Sequence, residues 1–304
     1  MASPDLKTAL GPLELRSPLI AASGTVGSVW EWAQVADTSP YGAAVAKSVA
    51  PVPWSGRPPP RLAPLPTGML NGIGIQNPGI ESWVAEMSER IPKLEVPVWG
   101  SAVGGDPAEF AVVSKGLESA GVSAVEVNLS CPNLDSGEMF SFDAGESGDV
   151  IGAVKSAVGI AVGAKLSPDT PDIAAVAGAC YSAGADFVVL TNTARGFGVS
   201  ISSRSAVLSG GVGGYSGPGL KPLSLRCVHE VASAFPGRPI VGCGGVTTGR
   251  DVVEYLMVGA SAVAIGTAHL AEPKAGRRIR RELGHLMEVL GAGSVAELVG
   301  SLTR

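Results

Sequence analysis

The feature that most restricts this chain is a unit repeated along it. A brief, nearly continuous apolar run ends in polar residues or glycine and gives way to a helical pattern. Eight such runs occupy residues 19–23, 43–48, 96–102, 124–130, 161–167, 187–193, 239–245 and 262–268. Unbroken apolar strands are buried on both faces, as in a parallel sheet covered by helices. Eight β/α units predict an α/β fold, a closed (β/α)8 TIM barrel more than an open sheet. The open, doubly wound alternative binds dinucleotides through Gly-x-Gly-x-x-Gly, and the third glycine is missing here. Gly72-Ile-Gly74 meets Asn77, and Gly242-Cys-Gly244 meets Thr247.

No composition shift or linker divides the chain, so residues 1–304 are expected to form one barrel domain. Helix starts are readable where an acidic or threonine cap precedes apolar periodicity, at Asp106 before Pro107 and at Thr248 before Asp251. Residues 6–15 predict a small hairpin at one end of the barrel. Two connections are about twice as long as most others, and both follow strand C-terminal ends, at residues 49–91 and 194–222. In a barrel that is the catalytic face, and long loops in a compact domain are usually functional.

Charge and cysteine usage exclude several classes. Lys plus Arg is 22 against 27 Asp plus Glu, a net of −5, so attraction to nucleic acid or an anionic membrane is not expected. The cluster Arg277, Arg278, Arg280 and Arg281 reads as the polar face of a helix. No signal-peptide pattern or membrane span is apparent, and a cytoplasmic location is expected. Cys131, Cys180, Cys227 and Cys243 form no Cys-x-x-Cys pair, so no metal site is expected in this chain. Three of the four are expected to be small buried hydrophobes. The histidines show no ligand spacing and receive no role.

The residues that remain converge on the strand ends. Gly244-Gly245 after the seventh run and Gly266-Thr267 after the eighth stand where barrels hold phosphate, from a substrate or from a cofactor such as FMN, with the following helix N-terminus adding a favourable dipole. In Glu126-Val-Asn-Leu-Ser-Cys131, alternation puts Glu126, Asn128 and Ser130 on one face and Val125, Val127 and Leu129 on the other. Asn128 therefore points into the barrel mouth, and Cys131 opens the following loop as a candidate base or nucleophile, against the alternative of an inert buried thiol. Lys47 and Lys165 need anionic partners if they point inward: a carboxylate such as Glu126, a phosphate or a reduced flavin. Thr191-Asn-Thr193 and Asn71-Gly-Ile-Gly-Ile75 offer amides and free N–H groups to a flat ligand rich in carbonyls.

Taken together, these residues resemble class 1 of the dihydroorotate dehydrogenase family. The matching stretches are Ala21-Ala-Ser-Gly-Thr25, Lys47-Ser48, Pro58-Pro-Pro-Arg61, Gly68-Met-Leu-Asn-Gly-Ile-Gly-Ile-Gln-Asn-Pro-Gly79, Asn128-Leu-Ser-Cys-Pro-Asn133, Lys165-Leu-Ser-Pro168, Thr191-Asn-Thr193, Gly213-Gly-Tyr-Ser-Gly-Pro218, Lys221-Pro222, Gly244-Gly245 and Gly266-Thr267, in family order over nearly the whole chain. The resemblance implies FMN-dependent oxidation of dihydroorotate to orotate in pyrimidine synthesis. It makes Cys131 the general base for the C5 proton while hydride passes from C6 to flavin N5. It assigns substrate contacts to Lys47, Asn71, Gly72, Ile73, Gly74, Ile75, Asn128, Asn133, Asn192 and Thr193. FMN contacts fall to Ser23, Lys47, Ser48, Asn128, Lys165, Thr191, Gly217, Gly244, Gly245, Gly266 and Thr267, with Lys165 offsetting charge on the reduced flavin. Ser101 stands where the family usually carries a flavin-contacting asparagine.

The stretch from Asn71 to Gly79 is most similar to the B subtype. That implies a homodimer or a heterotetramer with an iron–sulfur flavoprotein subunit carrying FAD and a [2Fe–2S] cluster, and delivery of electrons to NAD. Competing readings are a flavin enzyme of another dihydropyrimidine, a flavin-free barrel lyase with Lys165 as Schiff base, and a non-catalytic barrel.

Overall fold

The computed structural model describes residues 3–130 and 139–303. The eight predicted runs all become strands of one closed parallel barrel: β1 (Leu19–Ala21), β2 (Ala43–Val45), β3 (Val98–Ala102), β4 (Ala124–Asn128), β5 (Ala161–Leu166), β6 (Phe187–Leu190), β7 (Ile240–Cys243) and β8 (Ala262–Ile265). Each pairs with its sequence neighbours, and β8 closes on β1 with Ala264 opposite Ile20. The expected (β/α)8 barrel is the observed one.

Helices fill the connections: α1 (Trp30–Ala33), α2 (Ile80–Met87), α3 (Pro107–Ser119), α4 (Ala144–Ala157), α5 (Ile173–Ser182), α6 (Lys221–Ala234), α7 (Gly249–Val258) and α8 (Ala275–Leu290). The caps read from sequence are in place. Asp106 accepts from the Glu109 N–H at α3, and Thr248 with Asp251 forms a capping box at α7. The arginines of residues 277–281 lie on α8, where Arg278 pairs with Glu272 and Glu282.

Strand alternation divides the apolar residues into two cores. Outward residues such as Val125, Val127, Val162, Ala164 and Leu166 pack under the helices. Inward residues Ile20, Val45, Trp99, Phe187 and Val241 fill the barrel's N-terminal half, with the Trp99 and Phe187 rings 5.1 Å apart. The predicted hairpin forms from Thr8–Leu10 and Leu13–Leu15, and its Leu10 and Leu15 join this inner core, closing that end.

The two long segments are not simple loops. They build a four-stranded antiparallel sheet in the order Ala194–Gly196, Gly213–Ser216, Gly68–Asn71, Leu62–Leu65. Leu70 faces Tyr215 across it, and Ala63, Leu70 and Leu208 give the sheet its own small core. This sheet joins the connection after β2 to the connection after β6, on the C-terminal side of the barrel.

Gly163 on β5 makes room for the inner core, since a Cβ there would lie 2.1 Å from the Phe187 ring. Gly163→Ala is expected to cost about 1–3 kcal/mol in denaturant unfolding, as overpacking does. Pairing it with Phe187→Leu should recover part of that loss beyond additivity. Strict additivity of the two changes would show that the ring is not what excludes the methyl group.

Candidate active site

The site grows from the last inward positions of the strands. Asn128 ends β4, and its inward neighbour two residues back is Glu126, paired with Lys165 of β5 in the parallel register that sets Glu126 against Gly163 and Asn128 against Lys165. The Lys165 ammonium donates to Glu126 Oε1 at 3.2 Å, with both side chains at least 94% buried. Such a pair is poor value for stability, because desolvating both charges offsets most of their attraction. Its position beneath a polar mouth is what needs explaining.

Above it runs a chain of hydrogen bonds across four strand ends. The hydroxyls of Ser101 and Ser48 share a bond of 2.9 Å, and Asn128 Nδ2 donates to Ser48 Oγ at 3.3 Å. Asn128 Oδ1 accepts from Ser130 Oγ at 3.1 Å and from Asn192 Nδ2 at 3.2 Å. Asn192 Nδ2 also donates to Ser130 Oγ at 2.6 Å, while its Oδ1 accepts the Thr193 N–H at 2.8 Å. These bonds fix the orientation of both carboxamides. They also give Ser101 its place: its buried hydroxyl orients Ser48.

The four-stranded antiparallel sheet, here the cap sheet, brings the substrate-loop candidates toward the same mouth. Asn71 Nδ2 donates to the Gly214 carbonyl at 3.2 Å, and a Cβ on Gly214 would fall 2.2 Å from Thr193 Oγ1. Gly72, Ile73, Gly74 and Ile75 follow Asn71 out of the sheet. Lys47 and Ser48 line a cavity of about 640 Å³ together with Glu31, Trp54, Gln76 and Asn77. The Lys47 N–H donates to the Gly27 carbonyl at 2.9 Å, and Ser23 Oγ donates to the Ala46 carbonyl at 2.7 Å, so the ends of β1 and β2 are tied together. Cys131 and Asn133 lie outside the described residues; Ser130 is the last described residue before them.

On the far side, Thr191 Oγ1 and Ser224 Oγ share a 2.8 Å bond, and Ser224 abuts Gly244, where a Cβ would sit 2.2 Å from its hydroxyl. A Cβ on Gly245 would lie 2.7 Å from the Lys221 N and 3.0 Å from the Gly217 carbonyl oxygen. Gly244 and Gly245 have φ of +137° and +69°, so both the space and the backbone require glycine. The N–H groups of Gly244, Gly245, Gly266 and Thr267 have no acceptor among the described residues. Backbone N–H groups left open at glycine turns are the kind of donor that can hold a phosphate.

The α7 N-terminus does not add to them. Asp251 Oδ2 accepts from the N–H and hydroxyl of both Thr247 and Thr248, and Glu282 takes the Gly249 N–H at 2.7 Å. Burial raises the Asp251 pKa, but bonds from Lys221, Thr247 and Thr248 outweigh it and hold the carboxyl below its ordinary range. The expected helix-dipole contribution is thus taken up by the protein's own carboxylate.

Sequence reasoning gave no role to His269, which ties two strand ends beside these turns. Thr25 Oγ1 donates to the Ala22 carbonyl at 2.9 Å and so accepts from His269 Nδ1 at 3.2 Å, leaving Nε2 to accept from the Tyr41 hydroxyl at 2.7 Å. Burial lowers its pKa to about 4. No spacing rule reveals such a contact between residues far apart in sequence. Ser224 and Asn77 were missed for the same reason. Cys180 and Cys227 are buried with thiol pKa values pushed up to about 12 and about 11, and burial raises Cys243 as well, so all three behave as the inert thiols expected. Among the described residues no group of three or more His, Cys, Asp or Glu is placed to hold a metal ion, and no helix is long and apolar enough to cross a membrane.

The family model described as dihydroorotate dehydrogenase matches residues 5–287. The chain is 37% identical over 304 residues to the "Dihydroorotate dehydrogenase B (NAD(+)), catalytic subunit" of Geobacter sp. (strain M21), covering 99% of each. It is 39% identical over 301 residues to the protein of the same description from Pelobacter propionicus, covering 98% of this chain and 99% of the other. The crystal structure of the Eimeria tenella DHODH with ferulenol superposes with a TM-score of 0.82 at 20% identity, covering 98% of this chain and 88% of that one, a likeness of fold.

A histidine neutral in the fold and titrating near 6.5 when unfolded makes the unfolded state bind more protons between those pKa values. Stability should therefore fall as pH drops from about 7 toward 4, by about 2 kcal/mol at pH 5 from this residue. Urea unfolding at both pH values should show the loss in the wild type and a smaller one in His269→Gln. Equal losses would place the proton uptake elsewhere.

Proposed function

The chain belongs to the dihydroorotate dehydrogenase family and oxidises dihydroorotate to orotate in pyrimidine biosynthesis, and we propose that it does so with FMN held in the barrel mouth and Cys131 as the base. The observation that carries the site assignment is the hydrogen-bonded chain Ser48–Asn128–Ser130–Asn192, standing directly over the buried Lys165–Glu126 pair.

The residues fit FMN. The N–H cradle of Gly244, Gly245, Gly266 and Thr267 with Gly217 would take the phosphate, and Ser23, Lys47, Ser48, Asn128, Lys165 and Thr191 would surround the ring. Bound FMN supplies a two-electron acceptor for the hydrogen leaving C6 with its bonding electrons. Everything else falls to the chain. The Lys165 ammonium, oriented by Glu126 in a site sealed from water, stabilises negative charge that develops above it. Asn128 and Asn192 have their amides preset by Ser48 and Ser130, so they bind and orient a flat ring without reorganising. Thr193 and Asn71, brought to the same rim by Gly214, complete the substrate set with residues 72–75 and Asn133. Lys47 supplies a positive charge suited to the orotate carboxylate, which a dihydropyrimidine such as dihydrouracil lacks. Cys131 accepts the C5 proton. The thiols of Cys180, Cys227 and Cys243 are held protonated by burial and offer no competing base.

The relatives named as NAD(+)-dependent catalytic subunits support a division of labour. This chain is read as the catalytic subunit of a cytoplasmic B-subtype enzyme, as a homodimer assembled with an electron-transfer subunit that carries FAD and a [2Fe–2S] cluster.

An anaerobic visible spectrum of the purified chain tests the half-reaction directly. A yellow protein that bleaches on adding dihydroorotate is the expected outcome; a chain that stays colourless after FMN is supplied would overturn the cofactor assignment. Cys131→Ala should keep FMN and slow bleaching by about 10²–10⁴, the usual contribution of a positioned base. An unchanged rate would remove Cys131 from that role. Lys47→Ala should weaken orotate more than it weakens a carboxylate-free analogue, and equal losses would mean that Lys47 does not read the carboxylate.

A further inference from the structure

The loop that follows Asn71 holds a backbone conformation that its side chain resists. Ile75 has φ +54°, in the left-handed region, where a β-branched residue persists only if its surroundings over-determine it. Asn77 is the group that does so. Its side chain is almost sealed from solvent, at 8% exposure, and works in two directions. Nδ2 donates to the Ile75 carbonyl at 2.7 Å. Oδ1 accepts from the Ala50 N–H at 3.0 Å and the Gly79 N–H at 2.9 Å. The Asn77 backbone exchanges two further bonds with Trp54, at 2.9 and 3.0 Å. Ala50 lies two residues beyond Ser48, so one buried carboxamide joins the chain leaving β2, where Lys47 and Ser48 stand, to the backbone of residues 71–75. Neighbouring bonds set the rest of that backbone: the Gly72 N–H donates to the Arg61 carbonyl at 2.7 Å, and the Arg57 N–H to the Ile73 carbonyl at 3.0 Å. Nothing but Asn77 is aimed at the Ile75 carbonyl among the described residues.

We infer that Asn77 is a positioning residue for substrate binding: by holding the Ile75 carbonyl it presets the direction in which the residue 71–75 backbone meets the flat ring. The inference rests on the reading of that backbone as part of the substrate site. A residue that merely braced the loop would act through Ala50 and Gly79 and would be indifferent to the side chain at position 75. A residue that holds a strained Ile75 becomes dispensable once the strain is gone.

Two backgrounds separate these. Asn77→Asp keeps an acceptor for Ala50 and Gly79 and replaces the donor to Ile75 with a carboxylate oxygen that repels its carbonyl. In the FMN-loaded chain it should bind orotate about ten-fold more weakly by calorimetry, the usual scale for one lost hydrogen bond. Its KM should rise more than its kcat falls, and its FMN content should stay near the wild type. In an Ile75→Gly background, where the left-handed backbone is unstrained, the same change should cost less than about three-fold. Asn77→Ser, which also loses the bond to Ile75, is measured in both backgrounds in case the aspartate variant does not fold. Unchanged affinity in the single variants, or the same loss in both backgrounds, would overturn the proposal. A wild-type chain that fails to bind orotate at all would instead remove the reading of the site, so the two failures are distinct.

Discussion

An ammonium and a carboxylate nearly sealed from water, 3.2 Å apart on adjacent strands, constrain almost everything else in this structure. Lys165 and Glu126 face inward only because β4 and β5 keep their two-residue period and their register. A slip of one residue would turn both charges into the helical layer and bring Val125 and Leu166 into the mouth. Below the pair, Trp99, Phe187 and the hairpin leucines pack the N-terminal half of the barrel with apolar side chains. Above it, Ser48, Asn128, Ser130 and Asn192 bond to one another. A buried ion pair contributes little to stability, so what the pair gives the barrel is a fixed positive charge directly beneath the polar mouth.

The parts of the fold that were legible in the sequence are those governed by local physics. Strands buried on both faces carry unbroken apolar runs, helix caps need a carboxylate or hydroxyl at one position, and alternation along residues 124–130 sorts Asn128 from Val127 without knowledge of any partner. The cap sheet was not legible. Its strands are three or four residues long and half exposed, and Leu70 meets Tyr215 through pairing that is far from local. Glycines carry that pairing: a Cβ on Gly68 would strike the Ser216 carbonyl at 2.0 Å, and one on Gly217 would strike the Gly68 Cα at 2.5 Å. A glycine in sequence says that space is short without saying what is close. The places of candidate residues such as Asn128 and Asn192 were readable from strand ends, while the contacts that orient them, from Ser101, Ser224, Asn77 and His269, were not. Cys131 and Asn133 rest on the family resemblance and the strand-four motif alone, since they lie outside the described residues.

The glycine turns at Gly244 and Gly245 show how these levels combine. A helix N-terminus is a ready anion site, and the α7 end stands beside two glycine turns that suit one. Yet Asp251 occupies that end with five hydrogen-bond donors of its own: two backbone N–H groups, two hydroxyls and the Lys221 ammonium, the last on its other oxygen. A carboxylate there would repel a nearby phosphate if it were bare. Lys221 bridges Asp251 and Glu254 and spreads that charge, while the backbone of Lys221 closes over Gly245 from the same side. The turn is therefore rigid before any ligand arrives, and what it offers is a set of neutral N–H groups at Gly244 and Gly245 rather than a helix dipole. Rigidity obtained this way has a consequence for selectivity. Among the described residues the donors at these turns are a few fixed N–H groups with a carboxylate behind them, and that set is matched to one terminal phosphate group.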